Sequence, residues 1–530
     1  MKFPIGIQDF KVLREEGFVY VDKTALLYQM ANEGAIYFLS RPRRFGKSLL
    51  VSTLKYYFDG ARDLFEGLAV ETLEKDWVRY PIFHIDLNST NFTKSADALP
   101  QLINGMVEDW ERQYGYVGNP DFDYGKRFAE LMKFVHETTG RRCVVLVDEY
   151  EKPLLDVLDS GMTVANCGKD MLVEEVNREI LKGFYSAFKA ASQDLRFVLL
   201  TGVTKFSQVS VFSGFNQPED ISMSEQFDAI CGITKDELEE VFHDEINAMA
   251  EEMEMTSEDV RQMLKRYYDG YHFSKRMKDI FNPFSLLNAL KSRSIQDYWF
   301  STGTPTYLIR LLNHTNENLN ELTGKYYDMS EFIDYKADLE RPLPMIYQSG
   351  YLTIKDYDRE TRSYLLDLPN NEVKKGFLTL IASNYLGTKE SAGTLAIQLA
   401  RAILKEDLDA WRKNLAAFFA SIPYTMRCKD TEMERERYFH YTFYLIFRIL
   451  GTYLVLTEKQ QSEGRADCII ETGNGVYIFE FKLEGSADEA LRQIEDKGYA
   501  RPYMAEGRKV HKVGVSFSST TGTIEDWKEA

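Results

Sequence analysis

The stretch AIYFLSRPRRFGKSLL, residues 35–50, joins a strand-like segment to a helix-like one through a short basic loop. Residues 35–40 are an apolar run that predicts a buried strand, and SLLVSTLKYYF from Ser48 has the leucine and aromatic spacing of a helix. The loop ends in Gly46-Lys47-Ser48, where backbone N–H groups and a helix amino terminus can surround an anion. This order of elements predicts a phosphate-binding loop.

Each polar residue of this loop has a defined role in nucleotide binding. Lys47 reaches the β and γ oxygens of a triphosphate, and Ser48 ligates Mg²⁺. Arg41 replaces the first glycine of the general pattern G-x-x-x-x-G-K-[ST], which removes conformational freedom, although the nearby arginines add charge against the phosphates. The alternative is a basic surface turn before an ordinary helix. We predict nucleotide contacts from Arg44, Phe45, Gly46, Lys47, Ser48 and Leu49.

A second apolar segment, CVVLVDEYEKP at 143–153, ends in acids. Asp148 and Glu149 follow directly after the strand-type residues. In that position one carboxylate can hold magnesium, commonly through water, and the next can activate the attacking water. We therefore predict Asp148 as a metal ligand and Glu149 as a catalytic base, the alternative being a strand that ends in solvated acids.

A third apolar segment, RFVLLTG at 196–202, is followed by hydroxyl side chains. The strand beside the acidic one often ends in a polar side chain that senses the γ-phosphate, since that end of the sheet faces the nucleotide. The polar residues that follow are Thr201, Thr204, Lys205 and Ser207, and Thr204 is our choice. A loop-capping role is the equal alternative.

The order of the segments predicts several domains. Strand-like runs alternate with helical segments near 96–115, 125–137 and 176–194, which predicts an α/β three-layer core. From Gly232 the pattern is helical, with Thr234 and Glu237 placed to form a capping box. The predicted units are a phosphate-loop core at 1–230, a helical lid at 231–300, a connecting domain at 301–422 and a second α/β unit at 423–530.

The second α/β unit contains GRADCIIETGNGVYIFEFKLEG at 464–485. Asp467 begins one apolar strand, and Glu480 and Lys482 lie in the next, beyond a glycine turn that folds the two acids together. Alternation places Glu480 and Lys482 on one face of the sheet and Phe481 on the other. Two converging carboxylates bind Mg²⁺, and an ammonium beside them can activate water for attack on phosphorus. An exposed hairpin with an ordinary ion pair is the alternative.

Four quoted stretches resemble the bacterial AAA-ATPase-like family: VYVDKT at 19–24, RPRRFGKSLL at 41–50, LVDEYEKP at 146–153 and TGVTKFSQVSVFSGFNQPEDIS at 201–222. Members of that family carry the Arg-Pro-Arg-Arg-Phe-Gly-Lys-Ser form, so Arg41 departs from the general rule and not from the family. The resemblance implies a P-loop NTPase core of the AAA/ASCE type, with Tyr20 to Thr24 near the base or ribose. Helix capping by Asp22 is the alternative for that segment.

The same resemblance extends through the middle of the chain. It is carried by YDGYHF at 268–273, FNPFSLLNAL at 281–290, YWFSTGTPTYLI at 298–309 and YQSGYLTI at 347–354. These motifs have no evident catalytic logic. We expect their aromatic side chains to belong to the core.

The carboxy-terminal unit resembles the PD-(D/E)XK nuclease superfamily, through residues 464–467, IFEFK and ALRQIEDKGYARPY at 490–503. The resemblance implies that Asp467, Glu480 and Lys482 occupy the metal and catalytic positions. It also matches Gln493 and Tyr499 to the Gln and Tyr of the following helix, for which structural roles are equally open. Glu436 matches an acid on the first helix of that superfamily, with Glu432 and Glu434 as alternatives.

Composition limits the classes of function that fit this chain. The 530 residues are 44% hydrophobic, which excludes a disordered tail, and the net charge of −18 excludes a uniformly cationic surface, so contacts with nucleic acid must be local. Five widely spaced cysteines and a charged amino terminus predict a cytoplasmic protein that does not span a membrane. Oligomer formation is left open.

Taken together, the sequence predicts an ATP-binding, ATP-hydrolysing switch coupled to a Mg²⁺-dependent phosphodiesterase that acts on nucleic acid, with DNA as the first choice. Family analogy extends this to mobile-element control or defence. The alternative is a non-catalytic, ATP-dependent regulatory or nucleic-acid-binding protein with a degenerate nuclease module.

Overall fold

The structure of the protein is a computed structural model, and its contacts divide the chain into two compact units at Glu372 and Val373. It describes residues 1–158, 160–166, 169–205, 218–302, 322–333, 342–386, 392–422, 432–456, 460–461, 464–465, 468–505, 507–518 and 523–530. In these ranges no helix combines the length and the apolar character needed to cross a bilayer.

A parallel sheet forms the centre of the first unit. The strands of this region are β1 (Ile36–Ser40), β2 (Ile82–Asp86), β3 (Cys143–Asp148), β4 (Thr163–Asn166), β5 (Lys169–Leu172), β6 (Leu195–Gly202) and β7 (Glu219–Asp220). The sheet has the order β2-β3-β6-β1-β7, and β4 and β5 form a separate hairpin. Strand β3 is buried at every position, as expected for a strand that is covered on both faces.

Helices cover both faces of this sheet. They are α1 (Phe10–Glu15), α2 (Thr24–Glu33), α3 (Lys47–Phe58), α4 (Ala69–Leu73), α5 (Ala98–Tyr114), α6 (Tyr124–Thr139), α7 (Lys152–Leu155), α8 (Val173–Tyr185) and α9 (Ala187–Ala190), with 3₁₀ turns at Arg62–Phe65 and Leu87–Ser89. Phe58 of α3 packs on Phe197 of β6, whereas Trp110 of α5 and Phe128 of α6 pack on Phe83 of β2. The strand register places Phe83 and Phe197 on opposite faces. The predicted three-layer α/β core is therefore confirmed.

The region after the core is mainly helical. It contains β8 (Ile233–Thr234), α10 (Lys235–Glu252), α11 (Ser257–Tyr268), β9 (Ile280–Phe281), α12 (Pro283–Ser292) and α13 (Tyr298–Ser301). The predicted capping box at the start of α10 is confirmed, because Thr234 Oγ1 accepts from the Glu237 N–H and the Glu237 carboxylate accepts from the Thr234 N–H. Thr256 and Asp259 form a second capping box at α11.

A small antiparallel sheet completes the first unit. Its elements are β10 (Lys325–Tyr327), α14 (Met329–Ile333), α15 (Leu343–Gln348), β11 (Thr353–Asp358) and β12 (Ser363–Asp367), with the strand order β10-β12-β11. The sequences of β11 and β12 are TIKDYD and SYLLD.

The second unit contains a mixed five-stranded sheet and helices. The helices are α16 (Asn371–Leu386), α17 (Ala392–Leu404), α18 (Leu408–Ser421), α19 (Glu432–Leu450), α20 (Ala487–Asp496) and α21 (Arg501–Ala505). The strands are β13 (Val455–Leu456), β14 (Gln460–Gln461), β15 (Gly464–Arg465), β16 (Cys468–Glu471), β17 (Val476–Leu483), β18 (Val510–Phe517) and β19 (Ile524–Glu529). The sheet order is β13-β16-β17-β18-β19, in which only β17 and β18 pair in parallel.

The division of the chain by contacts, at 372/373, differs from the expected domain boundary at 422/423. Helix α18 belongs to the second unit because Trp411 stacks on Phe479 of β17 at 4.5 Å, and Phe419 packs on Phe517 of β18 at 5.1 Å. Helices that cover this sheet therefore begin well before residue 423.

Candidate nucleotide site and candidate nuclease site

The phosphate loop turns at two residues with left-handed backbone. Gly46, the N-cap of α3, has φ of +92°, and Arg44 has φ of +67°. Arg41 is not among the positive-φ residues, and its N–H donates to the Gly202 carbonyl at 3.1 Å. The chain thus continues the β1–β6 pairing through Arg41 and turns later, which is why a glycine is not required at position 41.

The Arg41 side chain is buried and is bonded to backbone carbonyl oxygens. Its guanidinium is 1% exposed and donates to the carbonyl oxygens of Ser40 (2.9 Å), Ser222 (2.7 Å) and Phe227 (3.2 Å). Arg43 and Arg44 are exposed. Within the arginine group, the cations that remain available to a phosphate are therefore Arg43 and Arg44.

Lys47 is a buried ammonium surrounded by acids. Its Nζ donates to the carbonyl oxygens of Arg41 (2.9 Å) and Pro42 (3.1 Å). Burial lowers the pKa of Lys47, while the carboxylates of Glu149, Asp148 and, more weakly, Glu151 act in the opposite direction. The lysine predicted to reach the phosphates therefore lies beside the acids predicted to bind metal and activate water.

Thr201 joins the acidic strand to its neighbour. Its Oγ1 donates to Asp148 Oδ1 at 2.6 Å, and it lies opposite Leu39 in the β1–β6 pairing. Asp148 and the half-buried Ser48 at the start of α3 offer oxygen donors, which fit Mg²⁺. The strands that carry Asp148, Thr201 and the phosphate loop are adjacent in the order β3-β6-β1, so all three end at one edge of the sheet.

Glu149 has a backbone conformation that is unusual for its residue type. Its φ is +54°, in the left-handed region, where a glutamate persists only if the surroundings hold it. Burial raises the pKa of its carboxyl group, and the neighbouring Lys47 acts against that rise. The structure thus places the predicted base beside Lys47. Its catalytic role stays a prediction.

Glu151 is a buried acid that the sequence analysis did not identify. Its carboxylate is 2% exposed, and Oε1 accepts from the N–H groups of Val203 (2.5 Å) and Thr204 (3.0 Å). A Cβ at Gly202 would lie 2.2 Å from Glu151 Oε2, so this glycine makes room for the carboxylate. Thr204, which we chose as the γ-phosphate sensor, is fully buried, and its N–H donates to Glu151. The hydroxyl group that donates to Asp148 belongs to Thr201 instead.

The buried Glu151 predicts an unusual pH dependence of stability. Burial raises the pKa of its carboxyl group from 4.5 to about 7. The folded state therefore binds the Glu151 proton more tightly than the unfolded state does. The protonated carboxyl group contributes its full stabilisation below about pH 4.5, and this stabilisation is lost as the pH rises through 7. The glutamine of Glu151→Gln does not titrate, so this variant does not lose that stabilisation as the wild type does. The thermal midpoint of the variant minus that of wild type should therefore increase by several degrees between pH 5 and pH 8.

Thermal unfolding in a pH series measures this effect. Glu240→Gln is a matched control, since Glu240 is exposed on α10 and should show a constant difference from wild type. A difference for Glu151→Gln that is the same at pH 5 and pH 8 would contradict the assignment.

A cavity of about 100 Å³ opens beside the phosphate loop. Its lining includes Gly46, Leu49, Tyr20, Val21 and Lys23, together with apolar residues of the helical lid. The lining is mostly apolar, as suits a flat heterocyclic base. The nucleotide role of residues 20–24 stays a prediction. At the start of α2, Asp22 Oδ1 accepts from the Thr24 N–H at 2.8 Å.

Helix α10 is tied to this cavity by an ion pair. Lys23 Nζ lies 2.6 Å from Glu237 Oε1, and Glu237 is the third residue of α10. Burial lowers the pKa of Lys23, and Glu237 counteracts that shift. The amino-terminal segment and the first lid helix therefore meet at the cavity wall.

The candidate nuclease site is built on β17. Glu480 is 2% exposed, and its Oε1 accepts a hydrogen bond from Gln493 Nε2 of α20. Lys482 donates to Gln493 Oε1, and its Nζ lies 3.7 Å from Glu480 Oε1. Phe481 points the other way, onto Phe443 of α19. The predicted alternation is therefore observed, and Glu480, Lys482 and Gln493 meet on one face.

The other residues predicted at this site are Asp467, Glu436 and Tyr499. Asp467 lies outside the described residues, and so does the side chain of Glu436, whose backbone is in α19. Tyr499 is 1% exposed in a cluster with Ile478 and Ile494, which agrees with the structural alternative. The buried carboxylate of Glu480 is a hard oxygen donor of the kind that holds Mg²⁺. The described residues form no group of three or more His, Cys, Asp or Glu side chains that could hold a metal ion.

Comparison with known proteins confirms both family resemblances, that of the amino-terminal part and that of the carboxy-terminal part. Residues 4–212 match the family model described as predicted AAA-ATPase, and residues 434–527 match the PD-(D/E)XK nuclease superfamily. A relative from Azotobacter chroococcum mcd 1, described as an uncharacterized protein in the vnfD 5′ region, is 35% identical over 532 residues, covering 99% of this chain and 98% of its own.

Two solved structures from Aeropyrum pernix are more distant. The ORC2 protein (ADPNP-ADP complexes) is 13% identical, with 71% of this chain and 96% of that chain covered and a TM-score of 0.25. The ORC1 protein in complex with DNA is 10% identical, with 68% and 92% covered and a TM-score of 0.24. Scores this low support no conclusion about this chain.

Proposed function

This chain belongs to the predicted AAA-ATPase family and carries a PD-(D/E)XK nuclease module, and we propose that it is an ATP-hydrolysing switch that controls a Mg²⁺-dependent nucleic-acid phosphodiesterase. The observation that carries the first half is the convergence of Lys47, Asp148 and Thr201 at the ends of three adjacent strands. Beside them lies a cavity suited to a base.

Each residue of the first site has a separate role in triphosphate hydrolysis. Lys47 and the N–H groups at the start of α3 bind the phosphates, and Ser48 and Asp148 would hold Mg²⁺, which neutralises charge on the phosphate oxygens. Thr201 fixes the rotamer of Asp148 through its 2.6 Å hydrogen bond. Glu149 accepts the proton of the attacking water.

The residues of the second site are suited to phosphodiester hydrolysis. Glu480, with Asp467 and Glu436 as the further acids, would hold Mg²⁺, which stabilises charge at phosphorus. Lys482 orients the attacking water and is itself oriented by Gln493. Since the net charge is −18, we propose that nucleic acid, DNA in the first place, is engaged locally at this site rather than over the whole surface.

We propose that the nucleotide state of the first site sets the activity of the second, which would restrain a toxic activity until it is needed. The test incubates purified protein with supercoiled DNA, linear DNA and RNA, with Mg²⁺ or EDTA, and with or without ATP. Cutting should require Mg²⁺, and its rate should change with ATP. Binding of nucleic acid with no cutting under any divalent ion would instead show a non-catalytic, nucleic-acid-binding ATPase.

A further inference from the structure

The arm Arg41–Phe45, which precedes the glycine of the phosphate loop, is covered by aromatic residues from later in the chain. Phe45 is 1% exposed, and its ring lies 4.8 Å from that of Tyr271 and 5.5 Å from that of Phe273, both edge to face. This is the preferred geometry of aromatic pairs. The YDGYHF motif, which has no evident catalytic logic, therefore packs directly on the phosphate loop.

A second motif holds the backbone of the arm. Trp299 Nε1 donates to the Arg43 carbonyl oxygen at 3.1 Å, across 256 residues of sequence. Its indole packs on Tyr351 at 5.2 Å, and its own N–H donates to Glu372 Oε1 at 2.6 Å. Arg43 is exposed, so the Trp299 indole is more than a core side chain: its N–H fixes the position of a carbonyl group in the phosphate loop.

The other arm residues have partners as well. Gly350 has φ of +87°, and a Cβ there would lie 2.6 Å from Pro42 Cβ, so only glycine allows this approach. The guanidinium of Arg41 lies 4.1 Å from the ring centre of Phe273, and that of Arg44 lies 5.0 Å from the ring centre of Phe284. All five arm residues are thus held by these cover residues: Tyr271, Phe273, Phe284, Trp299 and Gly350.

Lys47 connects this cover to the phosphates. Its Nζ donates to the carbonyl oxygens of Arg41 and Pro42, which belong to the arm. A triphosphate that takes the Lys47 ammonium competes with these two carbonyls for its protons. Occupancy of the phosphate site and the conformation of the arm are therefore linked through one side chain.

We infer that Trp299 and Tyr271 are positioning residues of the nucleotide site, which hold the arm in register and transmit phosphate occupancy to the region 268–302. The inference rests on the proposed ATP-binding function and adds its regulation. It gives the middle motifs a role, and it accounts for the arginine-rich arm that replaces the usual glycine-rich one.

Trp299→Phe tests the inference, because it keeps a ring against Tyr351 and removes the N–H donor to Arg43. By dialysis with radiolabelled ATP, we expect the Kd to rise roughly three- to tenfold, the effect of one lost hydrogen bond. In wild type, ATP should change the tryptophan emission, and this change should be absent from Trp299→Phe. Trp77→Phe is the control, since Trp77 packs on Tyr57 and Phe65, and it should keep the change.

A measurement on the wild type covers the case in which Trp299→Phe is unstable. ATP should alter amide hydrogen exchange in peptides over 268–273 and 298–302. If ATP binds by dialysis but neither the emission nor the exchange in these peptides changes, the inference is overturned and the proposed function stands. If ATP does not bind, the proposed function falls and this inference falls with it.

Discussion

Replacing Lys47 with alanine is expected to abolish ATP binding. The ammonium is buried among Glu149, Asp148 and Glu151 and lies at the start of α3, where the phosphates are predicted to bind. Losing its charge-assisted hydrogen bonds to the β and γ oxygens should cost about 3 kcal/mol or more, roughly a 100-fold or greater loss of affinity. Dialysis with radiolabelled ATP measures the change directly.

Two further variants serve as comparisons for Lys47→Ala. Lys55→Ala lies two turns further along α3 and should bind ATP like wild type. Glu149→Gln keeps the side-chain length and should keep the affinity while slowing phosphate release by about 100-fold or more, because the proton acceptor is lost. ATP binding that survives in Lys47→Ala, with a native thermal midpoint, would remove the phosphate-loop assignment.

The buried strands of the first unit could be predicted from sequence. The runs at 35–40, 143–147 and 196–200 correspond to β1, β3 and β6, because a strand covered on both faces is continuously apolar. The phosphate loop and the DE pair were also visible, since each is a local pattern at the end of such a strand. Local patterns therefore predict the position of the candidate nucleotide site.

Contacts between strands could not be predicted in the same way. Whether Thr201 or Thr204 meets Asp148 depends on the register of β6 against β3, which places Leu200 opposite Val147. In the sequence, Arg41 is one of several cations of the loop. In the structure its guanidinium donates to backbone carbonyl oxygens that include those of Ser222 and Phe227. These partners lie far away in sequence, and composition does not indicate them.

The position of a domain boundary is hard to predict from sequence for a related reason. An amphipathic helix shows that it covers an apolar surface but not which one. Only the packing of Trp411 on Phe479 shows that α18 covers the second sheet. By contrast, the shared face of Glu480 and Lys482 follows from the period of a strand alone, and that prediction is confirmed by their common contact with Gln493.

Replacing Lys482 with alanine is expected to eliminate Mg²⁺-dependent cleavage of nucleic acid while leaving the fold and ATP binding intact. The ammonium is half-buried, lies 3.7 Å from Glu480 Oε1 and is oriented by Gln493, so it is preorganised to stabilise charge and position water at the scissile phosphate. Removing such a group costs roughly 100- to 1,000-fold in rate. The measurement is the initial rate of plasmid nicking at saturating Mg²⁺.

Lys497→Ala is the matched control for that experiment. Lys497 is exposed at the carboxyl end of α20, the helix that supplies Gln493, so its removal changes the net charge equally without touching the site. Glu480→Gln should match Lys482→Ala in lost cleavage, because an amide is a poor Mg²⁺ ligand. If both variants nick plasmid at the wild-type rate, the phosphodiesterase does not reside at Glu480 and Lys482. If wild type and Lys497→Ala are equally inert with every divalent ion, the proposed phosphodiesterase is wrong, and the ion pair of Glu480 and Lys482 serves structure alone.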